Sequence, residues 1–530
     1  MNKTLNIISI IALFISLLIT SACSNERYSS APKDTISMVL SAEPSSLDPA
    51  MTYGIAESNI EVEIFEGLTR LDAKNTAQPA LAESWDISPD GLTYTFHLRQ
   101  GICWSDGTPI TADDFVYSWQ RALAPATGCG NAYMLYPIAG AEEYNNDEAG
   151  PEALGLKAID SRTLQVVLKN PAAYFIDLTA FHVFYPVPRH VTENAPDTWA
   201  SNYETIIGCG PYRITRWVHS SEIVLEKNEL YWNKDNVRSS TIIVPISESP
   251  STRLTIVESG QADIMLDPPP ADEDRLKEKG IYRIEPMLGT TYYVFNVTKP
   301  PFDDANVRRA FSLAAARENL VNNVLKTGKV PAYAFVPPGI IYEGKDFRSE
   351  GGNLIEENPD KAKEILASSS YNGEPVTILY NTSEMNKAIS ESLQAMWKNS
   401  LGADVELANQ EKKVFFATRE NGEYQVAIAN WVADFADPIN FLEVFSDASN
   451  DAQYHDDDYN SLIEAINQEA DPHKRLKIMH EAEKKLFNDC VIIPFFFISQ
   501  PIVINPGFKG YFFSPMGVID LTQAYREDQP

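Results

Sequence analysis

The chain has 530 residues, 44% of them hydrophobic and 11% aromatic, with 43 Lys and Arg set against 73 Asp and Glu. That length predicts two to four domains with substantial cores, and the composition excludes extensive disorder. A formal charge of −30 would repel phosphate backbones, which excludes nucleic acid as a partner class; otherwise the acidity argues only for solubility.

Taken in chain order, the first signal lies at the N-terminus. Lys3 supplies a positive start, and Leu5 to Ile19 is apolar apart from Asn6, Ser9 and Ser16. This stretch is shorter than the roughly 20 residues that a membrane-spanning helix needs. Followed by Thr20-Ser21-Ala22, it reads as an export signal over residues 1–22. Cys23 directly after these small residues resembles a bacterial lipobox, with Thr20 standing where leucine is usual. That resemblance implies cleavage before Cys23, lipidation of its thiol and anchoring outside the cytoplasm, in the periplasm or at the cell surface. Residues 23–35 then form a polar tether. Cys103, Cys129, Cys209 and Cys490 remain, and three complete pairings are open to them. None shows CxxC spacing, so no metal site is expected from them.

Leu92 to Arg99 alternates apolar and polar residues and predicts a half-buried strand, ending in a turn at Trp104 to Pro109. Thr111 with Asp114 three residues on forms a capping box, and Phe115, Ser118, Trp119 and Leu123 continue the helix. Thr163 to Leu168, Ile223 to Leu225 and Ser240 to Ile246 predict further strands. Val307 to Lys326 and Pro359 to Leu366 have helical spacing, as do Tyr459, Leu462, Ile463 and Ile466, and then Leu476, Met479, Ala482 and Leu486. Ile492 to Ile498 reads as a buried strand. Strands and helices mixed without strict alternation predict an α/β or α+β chain of several lobes.

Catalytic motifs are missing. No GxSxG, no GxxxxGK[ST] and no helix-opening GxGxxG occurs, and His480-Glu481 is followed by Lys484 where a zinc protease needs histidine. His455 with Asp456, Asp457 and Asp458 reads as a solvated acidic loop capping the next helix, not as a metal site. Binding is favoured over catalysis, and no cofactor is implied.

Several segments resemble the peptide-binding family of ABC-transporter substrate-binding proteins (family 5 extracellular solute-binding proteins), the oligopeptide branch above all. They include Glu43-Pro44-Ser45-Ser46-Leu47-Asp48-Pro49, Phe65-Glu66-Gly67-Leu68, Pro79 to Trp85, Trp104 to Pro109, Asp114 to Arg121, Gly210-Pro211-Tyr212, Tyr231-Trp232-Asn233 and Gly260-Gln261-Ala262-Asp263. Pro300 to Asp304, Val307-Arg308-Arg309-Ala310 and Asn430-Trp431-Val432-Ala433-Asp434 continue the order. Most of these tryptophans, Trp85, Trp104, Trp119 and Trp232 among them, read as packing residues, and Gly107 and Gly210 as turn glycines.

The resemblance implies an α/β fold of two lobes hinged about a cleft, with an extra α/β domain. Domain I would comprise residues 36–65, 189–288 and 500–530, the extra domain 66–188 and the second lobe 289–499, with hinge strands near 289 and 499. It implies a peptide ligand, an ABC permease and ATPase complex as partner, a monomer and no enzymatic activity. Asp434 would meet the peptide ammonium, the backbone of Asn430 and Val432 beside Trp431 would flank the peptide, and Ile55 would reach in from the first lobe. Family positions that hold basic groups for the peptide carboxylate carry Leu325, Asn386 and Ile428 here. That leaves Arg419, which matches a family arginine, or the nearby Lys326, Lys387 and Lys412. The branch's second-lobe cysteine pair is replaced by Gly289 and Val432. Since Cys103 and Cys129 fall in one proposed domain, a disulfide between them is expected. Relatives with this fold also take murein peptides, metal chelates, haem or oligosaccharides, which is the alternative ligand reading. A secreted hydrolase is the reading from another class, and no motif supports it.

Overall fold

The computed structural model describes residues 34–527, apart from 53, 73, 74, 327 and 447–449. The export segment, Cys23 and the tether up to residue 33 lie outside the described residues. None of the described helices is long and apolar enough to cross a membrane.

An eleven-stranded sheet is the backbone of the molecule. Its main path runs Val405–Gln410, Val376–Asn381, Val426–Val432, Tyr282–Phe295, Ile492–Ile504, Ile264–Leu266, Thr35–Val39, Thr241–Pro245, Glu222–Lys227 and Tyr212–Val218. The first three strands belong to one lobe and the last five to the other. Among the described strands, only Tyr282–Phe295 and Ile492–Ile504 run through both. They pair antiparallel from Tyr282↔Val503 to Pro286↔Ser499, and again from Thr290↔Phe497 to Val294↔Ile492, with the register shifted in between. The ladder is thus interrupted at the junction of the lobes. A separate four-stranded sheet, Ala82–Ile87, Thr93–Leu98, Thr163–Val167 and Leu156–Asp160, forms the extra domain with the helix Ala112–Leu123 packed on it. The architecture is therefore the expected α/β fold of two lobes plus an extra domain.

Local chemistry explains most elements. Thr111 and Asp114 close the capping box, the Thr111 amide donating to Asp114 Oδ2 at 2.8 Å. Asp456 caps Asp457–Gln468 by accepting from the Tyr459 amide. Trp104 and Trp119 are fully buried, while Trp85 and Trp232 are half-buried. Gly107 has φ +90°, which suits its turn. Gly210 is a different case: a Cβ there would lie 2.6 Å from the Ile64 carbonyl carbon and 2.7 Å from the Phe65 amide nitrogen, so close approach to a helix end requires it rather than a turn.

Two further expectations need correction. The helical spacing over Val307 to Lys326 gives the helix Ala305–Leu313, a break, then Arg317–Asn319 and a π-helical stretch Leu320–Leu325. The break is made by distant partners. Glu357 Oε1 accepts from the Arg317 amide at 2.6 Å, and the buried Arg317 guanidinium donates to the carbonyls of Ala315 (2.8 Å) and Pro494 (2.7 Å). A continuous helix would need the Ala315 carbonyl for the amide four residues on. The second correction is the disulfide, since Cys103 and Cys129 are free thiols, as are Cys209 and Cys490. Cys103 bridges to Pro109 ahead of the 12-residue helix Ala112–Leu123, and its thiol faces the Leu230 carbonyl at 3.8 Å, whereas Cys129 follows that helix. Peptide mapping of unreduced protein is expected to recover both cysteines unpaired, and a Cys103–Cys129 cross-linked fragment would contradict this placement.

Candidate binding cleft

The strand Val426–Val432 carries the centre of the site. Along one edge it pairs with Tyr282–Phe295 over its whole length, Phe295↔Val426 to Gly289↔Val432. Along the other it meets Val376–Asn381 only at Ile378↔Val426 and Leu379↔Ala427. Residues 428–432 therefore leave an edge with no partner strand among the described residues. Backbone groups alternate between edges along a strand. The Ile428 carbonyl accepts from Arg419 Nη1 at 3.4 Å on the open edge, and the Ala433 amide donates to Leu288 at 2.7 Å on the paired one. It follows that the amides and carbonyls of Asn430 and Val432 face the open edge.

Immediately beyond the strand, Asp434 is fixed by a tight loop. Its amide donates to Asn440 Oδ1 at 3.0 Å, and its Oδ2 accepts from Asn440 Nδ2 at 3.4 Å and from the Tyr133 hydroxyl at 2.7 Å. Tyr133 belongs to the extra domain, so this hydrogen bond spans the cleft. Asp437, two residues before the short helix Ile439–Leu442, pairs with Arg475 through contacts of 2.7 and 3.0 Å, and both side chains are under 5% exposed. That buried pair ties the loop to the helix Pro472–Asn488. Burial pushes the Asp434 carboxyl above its ordinary value, against the lowering effect of the bonds from Tyr133 and Asn440. Among the described residues only neutral donors touch it, so a ligand cation would be its natural complement.

Two cavities flank this point. One of about 290 Å³ is lined by Ile55, Phe181, Tyr185, Val432, Asp434 and Met516, which brings both lobes and the extra domain together. Ile55 opens the helix Ile55–Ile64 and is 42% exposed, as expected of a residue offered to the cleft. The other, about 630 Å³, lies between the extra domain and the second lobe, against Tyr133, Tyr174, Trp431, Phe435, Asn440 and Glu443. Tyr174 stacks on Phe435 with ring centroids 4.6 Å apart, a second contact across the gap.

The structure thus brings Asp434, Asn430, Trp431, Val432 and Ile55 together. Arg419 stands at the start of the open edge, with its Nε 3.1 Å from Asp451 Oδ2 and its guanidinium over Phe415 and Phe416. Lys326, Lys387 and Lys412 are exposed. Ile428 is buried, and Asn386 donates to Asn381 Oδ1. Tyr133, Asn440 and Glu443 escaped the sequence reading. Asn440 follows Asp437-Pro438 closely enough to suggest a loop-fixing role, but Tyr133 has no periodicity or motif to mark it.

Gly289 and Val432, where the cysteine pair would stand, are direct cross-strand partners. A Cβ at Gly289 would lie 2.8 Å from the Trp431 carbonyl and 3.1 Å from Val432 Cγ2. Gly289→Val is expected to destabilise the fold by about 1–3 kcal/mol through overpacking, read as a lowered unfolding midpoint; an unchanged midpoint would show that the strand yields freely.

Residues 76–453 match the family model described as bacterial extracellular solute-binding proteins, family 5 Middle. The dipeptide-binding protein DppE of Bacillus subtilis is 36% identical over 490 residues, covering 91% of this chain and 90% of that one. Among solved structures, the murein tripeptide-binding protein MppA of Escherichia coli aligns with a TM-score of 0.78 at 31% identity, over 94% of this chain and 99% of the other. OppA of Haemophilus influenzae in complex with RPPGFSPFR aligns with a TM-score of 0.77 at 32% identity, over 94% and 100%.

Proposed function

Since the chain belongs to the bacterial extracellular solute-binding proteins of family 5, we propose that it binds short peptides in the cleft and delivers them to an ABC permease and its ATPase. One observation carries the reading: among the described residues Asp434 is a carboxylate touched only by neutral donors, and it stands at the end of an unpaired strand edge. Every free peptide brings an ammonium for the first and a backbone for the second. An extended ligand added at Asn430 and Val432 would pair its own amides and carbonyls without demanding a particular sequence. Side chains would enter the flanking cavities, where water can serve varied groups. Arg419, with its neighbouring lysines, is the candidate for the peptide carboxylate, and Asp451 already shares its charge. The role is capture rather than catalysis.

The domain division follows the same reading: 36–65, 189–288 and 500–530 for domain I, 66–188 for the extra domain and 289–499 for the second lobe. Closure would be a hinge motion at the interrupted ladder between Tyr282–Phe295 and Ile492–Ile504. Lipidation at Cys23 would hold a monomer at the membrane through two or more acyl chains. Native mass spectrometry after incubation with a peptide pool tests the ligand, and intact peptides are the expected retained mass. Cleaved peptides, or a retained solute of another class, would overturn the reading. Fractionation of cells expressing wild type and Cys23→Ser tests the anchor, which requires that only the wild type partition with membranes.

A further inference from the structure

We propose that the larger cavity, between the extra domain and the second lobe, is a subsite for a basic side chain at the first or second residue of the bound peptide, and that Glu443 selects it. This deepens the peptide reading above and rests on it.

Charge pairing singles out Glu443. Of the other acids lining this cavity, Glu142 has Lys169 at 2.9 Å and Asp451 has Arg419 at 3.1 Å. The Glu443 carboxylate has neither an ion pair nor a hydrogen bond among the described residues. Arg475, whose positive charge acts on it, is committed in bidentate fashion to Asp437. Glu443 opens the turn Glu443–Phe445 directly after Ile439–Leu442, three residues beyond Asn440. That spacing puts it on the same face as the residue that holds Asp434, so the two carboxylates serve adjoining space.

The walls fit a cation as well. Tyr133, Tyr174, Trp431 and Phe435 line the cavity, and a guanidinium or ammonium gains from aromatic faces where a neutral polar group does not. About 630 Å³ leaves room for a long side chain together with water. Burial first, then the charges of Asp437 and Asp434, push the Glu443 carboxyl up to about 8, and Arg475 opposes them. The other titratable groups facing it are the phenols of Tyr133, Tyr174 and Tyr459. At neutral pH the empty site therefore keeps its proton. An arriving cation would lower that pKa and send the proton to solvent, leaving a carboxylate–cation pair.

The test uses ligand-stripped protein and calorimetry at pH 7 with Arg-Ala-Ala and Ala-Arg-Ala, each beside its citrulline counterpart, in two buffers of different ionisation enthalpy. One arginine peptide is expected to bind about 10- to 100-fold tighter than its neutral isostere, with release of up to about one proton. Glu443→Gln should abolish both the discrimination and the proton release. Equal binding of each arginine and citrulline pair by the wild type overturns the subsite while leaving the peptide reading standing. Discrimination that survives in Glu443→Gln also overturns it. If none of the four peptides binds, the subsite and the peptide reading fall together.

Discussion

Replacing Asp434 by asparagine is expected to weaken binding of a short peptide about a hundred- to a thousand-fold, with little change in folding. The substitution keeps the side chain's size and an acceptor for the Tyr133 hydroxyl, but removes the charge at the end of the open edge. The ligand ammonium would then be desolvated without a counter-charge, and breaking such a buried pair costs about 3–5 kcal/mol. At about 1.4 kcal/mol per tenfold in affinity, the lower part of that range applies, because water in the flanking cavities can solvate part of the charge. A cycle with the N-acetylated peptide isolates the pair. Acetylation should hurt the wild type severely and add little to the loss already present in the variant. Independent, fully additive losses would mean that Asp434 and the ammonium do not meet. The stability of the loop rests on the Asp437–Arg475 pair and on Asn440, so the unfolding midpoint of Asp434→Asn should stay close to that of the wild type.

How far the sequence could be read depended on the range of the interactions concerned. The capping box at Thr111 and Asp114 and the amphipathic faces of Asp457–Gln468 and Pro472–Asn488 are set by neighbours within one or two turns, and they are legible residue by residue. The helical spacing over Val307 to Lys326 does not reveal its break, which depends on Glu357 and on the Pro494 carbonyl, remote in the chain. Gly210 hides its role for the same reason: what excludes a side chain there is the end of a helix about 150 residues away. Asp434 and the flanking strand were marked by resemblance, whereas no pattern announces Tyr133 or Glu443. They matter only because the fold sets the extra domain against the second lobe, and a lone tyrosine or glutamate in a polar stretch carries no sign of that packing.

Stability is expected to fall as pH rises from about 5 to 8, and Glu61→Gln with Glu63→Gln should remove much of that slope. Both glutamates lie on the helix Ile55–Ile64 and are at most 1% exposed. Glu61 accepts from the Thr52 hydroxyl and Glu63 from the Leu521 amide, each at 2.6 Å, while the second oxygen of each has no hydrogen-bond partner among the described residues. Burial above all pushes each carboxyl up to about 8 from an ordinary 4.5, with Glu57 and Asp48 adding to the effect at Glu61 and Asp520 at Glu63. Between those values the folded chain holds protons that the unfolded chain has released, so rising pH favours unfolding. Each such proton is worth about 1.4 kcal/mol per pH unit. Asp177, raised to about 6, and Glu443, raised to about 8, act in the same direction and should leave a residual slope in the double variant. His182, depressed to about 4 by burial, acts in the opposite one: its contribution is present above 6.5 and is lost as pH falls toward 4. Urea titrations of ligand-free protein at intervals from pH 4 to 9 would measure both flanks. The double variant should diverge from wild type as pH rises, becoming the more stable of the two by a few kcal/mol near pH 8. Parallel curves would mean that these carboxyls are already ionised in the folded protein, with water or a cation reaching them.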